Sequence, residues 1–138
     1  MNISSLITDN ITEVLVKIIK FTNTRQEILT MNMDNSHTTG YIPKDLDVEG
    51  FSELIDEAIN EHALNNRLLL RDSNTIKFGA NGDFQVSAII DHNSLALLKE
   101  DRNKYIEAQI DKMLENSLNK KIANELLKQK QGSASIFE

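Results

Sequence analysis

The chain has 138 residues, a net charge of −6 and no cysteine. That is the scale of one domain. Disulfides, Cys-ligated zinc and thiol chemistry are excluded, and nucleic acid is disfavoured as a partner because binding it calls for a basic stripe.

Aromatic residues make up only 5%, with no Trp, so Ile and Leu in helical patterns carry the apolar content. This composition suits long helices better than a round core. The charge is uneven: −1 over residues 1–43, −6 over 44–100 and +1 over 101–138. The ends are near neutral, as helices packing on helices require, and the middle is expected to stay solvated.

The first third reads as one long helix. Ile7, Ile11, Val14, Ile18, Phe21 and Ile28 recur at a/d spacing, the pattern of a helix packed on helices. Arg25 and Asn32 fall on the same seam. The expectation is that both lie at its edge with their heads in solvent; the alternative is that they fix register or contact a partner. The run from Asn32 to Gly40 is rich in residues that bond their own backbone, and Pro43 forbids continuation of the helix. The first ten residues lack a basic start, so no secretory signal is expected. Val14 to Phe21, interrupted by Lys17 and Lys20, is far short of the roughly 20 residues a bilayer needs.

A shorter helix follows, with Phe51, Leu54, Ile55, Ala58 and Ile59 on one face and Glu53, Asp56, Glu57 and Glu61 on the other. Seven acidic residues and no basic one lie between Asp45 and Glu61. A solvated face is the expectation, and a basic partner surface the alternative. Next, Ile76 and Phe78, then Phe84, Val86, Ala88 and Ile90, alternate around Asn81-Gly82, which predicts a hairpin with a two-residue turn. The last third is again helical, from about Lys104 to Lys130. Its stripe is Ile106, Ile110, Met113, Leu114, Leu118, Ile122, Leu126 and Leu127. Gly132 is read as its terminator and 132–138 as a flexible tail.

The fold class expected is mainly α. Two long terminal helices (1–41 with 101–131) pair in a coiled-coil-like core and flank a small acidic insert (42–100) with a short helix and a β-hairpin. The packing interface is expected to set Ile7, Ile11, Val14, Ile18 and Ile28 against Ile106, Ile110, Met113, Leu118 and Ile122.

No motif carries chemistry. His37, His62 and His92 are isolated, with no His-x-x-x-His pair for a helical metal face. No glycine-rich phosphate loop and no Gly-x-Ser-x-Gly elbow are present. The expectation is a non-enzyme with no catalytic residue, cofactor, metal or small-molecule substrate.

One local pattern adds a direction. Asn32, Asn35, Thr38, Gly40 and Tyr41 match, at the same spacing, the N-terminal signature of bacterial flagellar rod and hook proteins: Asn-hydrophobic-Ala-Asn, two variable positions, Thr-x-Gly-aromatic. Arg25-Gln26-Glu27 before it and Asp45-Leu46-Asp47 after it resemble the short proximal-rod branch (FlgB type). Near the other end, Asp101-Arg102-Asn103, Glu115-Asn116-Ser117-Leu118 and Leu126-Leu127 resemble that branch's last turn and helix. Asp34 stands where the family usually has Ala, Thr39 where this branch has Pro, Arg102 where the turn has Gly and Lys120 where the helix has Tyr. The likeness covers about 60 residues at the two ends and leaves 63–100 unmatched.

The resemblance implies a structural subunit of the flagellar basal-body rod. Its terminal helices would order on assembly, with Asn32, Asn35, Thr38, Gly40 and Tyr41 as the assembly turn. Its partners would be copies of itself, other rod subunits, a rod-base adaptor protein, and the inner-membrane ring and export gate. Its place would be periplasmic, reached by type III export without a cleaved signal. The alternative is a cytosolic helical adaptor or chaperone-like module with an acidic docking surface.

Overall fold

The structure is a computed structural model that describes residues 9–79 and 83–136. Among these residues it has four helices: α1 (Asn10–Asp34), α2 (Val48–Asn65), α3 (His92–Glu100) and α4 (Arg102–Ile136). Four two-residue strands form two antiparallel pairs: β1 (Lys44–Asp45) with β4 (Ile89–Ile90), and β2 (Ile76–Lys77) with β3 (Gln85–Val86). The fold is mainly α, and the long terminal helices α1 and α4 pack on each other. They run antiparallel: Lys130 Nζ reaches Asp9 at 2.9 Å, Asn116 donates to the Thr22 carbonyl, and Asn32 donates to Gln109.

Each helix starts where the sequence supplies an acceptor. Asp9 caps α1 by accepting from the Thr12 N–H at 2.8 Å, Asp47 caps α2 at Gly50, and Asp91 caps α3 at Ser94. α2 ends on Asn66, which takes the left-handed conformation at φ 53°.

The apolar core lies between α1, α2 and the β2–β3 ribbon, not between α1 and α4. Val14, Phe21, Leu46, Phe51, Leu54, Ile55, Ala58, Ile76 and Phe78 form one buried cluster. The few aromatics are concentrated there. Phe21 stacks on Phe51 with centroids 3.9 Å apart, and Phe78 and Phe84 close the group. The insert therefore builds its core jointly with α1, whose apolar face it covers.

Several expectations change. Ile7 and the Asn81-Gly82 turn lie outside the described residues. The ribbon pairs Ile76 with Val86, one residue short of the register a two-residue turn at 81–82 would set, in which Ile76 would face Ser87. Gly79, at φ +71°, lies just before the turn. Its Cα approaches the Asp83 backbone so closely that a Cβ would sit 2.7 Å from the Asp83 carbonyl oxygen. α3 is an element that the alternation before it concealed. α4 does not stop at Gly132 but continues to Ile136, so the expected tail is helical for those residues.

Candidate assembly surface

Arg25 and Asn32 are buried, at 4% and 0% exposure, so the expected edge placement is corrected. The reason is that each meets a partner from a distant part of the chain. The Arg25 guanidinium grips Asp45 in a fork, Nε to Oδ1 at 2.9 Å and Nη2 to Oδ2 at 3.0 Å. Its Nη1 reaches the exposed Glu115 of α4 at 3.4 Å. Lys112 of α4 then bridges Asp45 (3.2 Å) and Asp91 (2.9 Å). Two cations thus meet two buried carboxylates and the exposed Glu115 where α1, α4 and the β1–β4 pair come together, so that each buried charge has an opposite partner.

Burial disfavours the Asp91 carboxylate. The Ser94 hydroxyl and N–H, with the Lys112 ammonium, outweigh that and hold its pKa below the usual value. Burial likewise works against charge on Lys112, but its two carboxylate partners raise its pKa.

Asn32 is the centre of the expected assembly turn. Its carbonyl oxygen accepts from the Tyr41 hydroxyl at 2.8 Å and the Lys44 N–H at 3.2 Å. Its amide donates to the Lys44 carbonyl at 2.7 Å and to Gln109 Oε1 at 3.0 Å. The side chain thus exchanges bonds with the Lys44 backbone as a neighbouring strand would, and its hydrogen-bonding capacity is filled. Tyr105 donates to the Asn32 backbone carbonyl at 2.8 Å. Burial, with Tyr41 and Asp91 nearby, pushes the Tyr105 pKa up to about 12, so the phenol remains a donor.

The rest of the turn holds the approach to this centre. Asn35 donates to the Met31 carbonyl and accepts from the Thr38 hydroxyl. Gly40 is exposed at φ +77°, the left-handed conformation that a side chain would strain. Arg102, where the rod signature has Gly, donates to the Ser36 carbonyl at 2.9 Å and so ties the turn to the start of α4.

The inward face of α4 is therefore Tyr105, Gln109, Asn116 and Ala123, with Lys112 half-buried between them. Of the expected apolar pairing, Ile7 lies outside the described residues, and Ile18 and Ile122 line one groove between α1 and α4. Val14 is in the insert core, with Ile18 and Ile28 packed against it. Ile11 lies beside Leu15 and Leu126 in a shallow recess between the terminal helices. On α4, Ile106 and Met113 are half-buried. Ile110, Leu114 and Leu118 are exposed at 42, 65 and 58%, while Ile122 and Leu126, at 50 and 45%, line the groove that α4 forms with α1 and α2. The polar seam recurs at the same a/d spacing as an apolar one, and the stronger aliphatic stripe hid it.

The C-terminal end of this ridge opens onto an apolar groove of about 280 Å³ between α1, α2 and α4, lined by Leu15, Ile18, Phe21, Phe51, Ile55 and Leu126 among others. Exposed contiguous apolar surface of this kind marks interaction sites. On α2, by contrast, the acidic face is partly neutralised. Arg67 and Arg71 fold back onto Glu61 and Glu57, at 2.8 and 2.9 Å.

Among the described residues no group of three or more His, Cys, Asp or Glu is placed to hold a metal, and no helix is long and apolar enough to cross a membrane. In comparisons with known proteins, the chain matches no family model, no curated protein and no solved structure.

Proposed function

We propose that the chain is a non-catalytic structural subunit that joins a larger assembly through the outward face of α4, and that this assembly is the rod of a bacterial flagellar basal body, in its proximal part. The observation that carries the reading is the aliphatic ridge from Ile110 to Leu126. It lies on a 35-residue helix whose inward face is already occupied by the polar seam. A helix needs one stripe to hold its own chain, and a second apolar stripe suits a partner. The rod is the assembly suggested by the Asn32–Tyr41 signature. Those residues fix the angle at which the chain leaves α1 and lock it to α4.

The test is fractionation of flagellar basal bodies from the source bacterium. The chain is expected to co-purify with the rod, and Ile122→Asp is expected to remove it. A chain that stays in the soluble fraction under all conditions overturns the rod.

One observation favours the adaptor alternative: α1 and α4 are closed on each other within a single chain by buried bonds. Limited proteolysis of the free chain separates the two. Terminal helices cut before assembly and protected after it fit the rod, whereas protection throughout fits the adaptor.

A further inference from the structure

The β1–β4 pair has two outer edges, and the fold treats them differently. Lys44 lies opposite Ile90, and one step along the ladder the Asp91 N–H donates to the Pro43 carbonyl. Antiparallel ladders alternate bonded and non-bonded pairs. Lys44 and Ile90 are therefore a non-bonded pair, and their N–H and C=O groups point away from each other. On the β1 side the edge is closed. The Lys44 N–H donates to Asn32 at 3.2 Å, and its carbonyl accepts from Asn32 at 2.7 Å. On the β4 side the backbone groups of Ile90, and those of the exposed Ala88, make no bond to another described residue.

A free edge is a template for one more strand, which proteins commonly guard with a charge or a proline. The run Ser87-Ala88-Ile89-Ile90 carries neither. All four residues are exposed, the two isoleucines at 43% each.

We propose that β4 takes an extended, cationic peptide segment of a partner protein as a third strand. The segment exchanges backbone bonds with Ile90, as the Asn32 side chain does with Lys44 on the opposite edge.

Its charge follows from the surface beside the edge. Ile89 shares a face with Asp45, directly opposite it. On that face lies a groove of about 410 Å³ whose lining holds five carboxylates and two cations, Arg25 and Lys112. Both cations are already engaged, with Asp45, Asp91 and Glu115. The other two carboxylates, Asp47 and Glu49, form no ion pair among the described residues. Strand side chains alternate between faces, so every second residue of the added strand meets this groove, and a cation there meets its complement. A second copy fits less well, because β4 set against another β4 brings two acidic grooves together. The edge is separate from the α4 ridge and does not rest on the rod reading.

The probe is a fluorescent heptapeptide alternating lysine and valine, titrated into the full chain. It is expected to bind, and the amide signals of Ala88 and Ile90 are expected to shift and gain protection from hydrogen exchange. The counterpart alternating glutamate and valine is expected not to bind. Methylating every backbone nitrogen of the lysine peptide keeps its charge and removes its donors, and is expected to weaken binding about tenfold. Ile90→Pro removes an outward N–H that the β1 ladder does not use, and is expected to weaken binding to the same extent with unchanged circular dichroism. Glu49→Lys is expected to weaken binding and flatten its salt dependence. Equal binding of the methylated peptide overturns the added strand, whether or not Ile90→Pro folds, and so does an absence of binding. Protection of Ile90 that grows with protein concentration in the absence of peptide assigns the edge to a second copy and overturns the peptide. None of these results bears on the basal-body fractionation, so either proposal can fail alone.

Discussion

Asn32 offers two donors and two acceptors, and the fold uses them all. Asn32→Leu keeps the branching and the number of heavy atoms and removes the bonds, leaving Gln109 and the Lys44 backbone without their partner. The expected loss is about 2–3 kcal/mol in a urea titration, the scale of a buried polar group left unpaired. Asp91 gives a pH signature. Its folded pKa lies below the ordinary 3.8, so its contribution is present above about pH 4 and is lost as pH falls through the folded value. Lys112 has the opposite sign. Its pKa is raised above 10.5, so its contribution holds through neutral pH and is lost only as pH rises through that raised value. Thermal melts across pH 2–5 are therefore expected to show a falling Tm that Asp91→Asn flattens. At this scale little was legible in the sequence. Arg25 and Asn32 stood out as polar residues on an apolar seam. Asp45 and Gln109, which justify their burial, lie 20 and 77 residues away and leave no local pattern.

Whole elements were read more readily, because periodicity and capping are local. α1, α2 and α4 follow from spacing, α1 also from the stop signals after Asn32, and β2 pairs with β3 as the alternation predicts, though in another register. What periodicity could not decide was which of two stripes on α4 turns inward. Hydrophobicity favours the aliphatic row. Hydrogen bonding to α1 and to the insert favours Tyr105, Gln109 and Asn116, which would be costly to leave unpaired. α3 had a signal of its own, Asp91 ahead of Ser94, masked by the strand-like alternation from Phe84 to Ile90. Gly132 tests the far end of α4. It is exposed, and a Cβ there meets nothing within 4 Å. A glycine inside a helix costs about 1 kcal/mol relative to alanine. Gly132→Ala is therefore expected to add helical ellipticity and a modest gain in stability, whereas a true terminator at this position would lose both.

At the scale of the molecule, the proposed function has folding and assembly draw on different surfaces. Phe51 stacks on Phe21 in the insert core, so Phe51→Ala is expected to cost about 3–5 kcal/mol and to lower the melting temperature sharply. Ile110→Asp, on the ridge, is expected to change stability by no more than about 0.5 kcal/mol while abolishing association. Calorimetry and sedimentation on the same two proteins check the separation. If Ile110→Asp unfolds the chain, the ridge belongs to the core after all. The β1–β4 pair has a separate consequence. Lys44 lies opposite Ile90, and the Asp91 N–H donates to the Pro43 carbonyl, so the chain departs from the helical pair and returns to it at one doorway. Whatever is threaded through that doorway can change in length without moving either helix, because closing a longer loop costs only about 0.6 kcal/mol per doubling. Residues 46–88 thus form an exchangeable cassette. A graft between Asp45 and Ile89 is tolerated provided that it brings its own cover for Val14 and Phe21, and natural length variation in chains of this design is expected at that point.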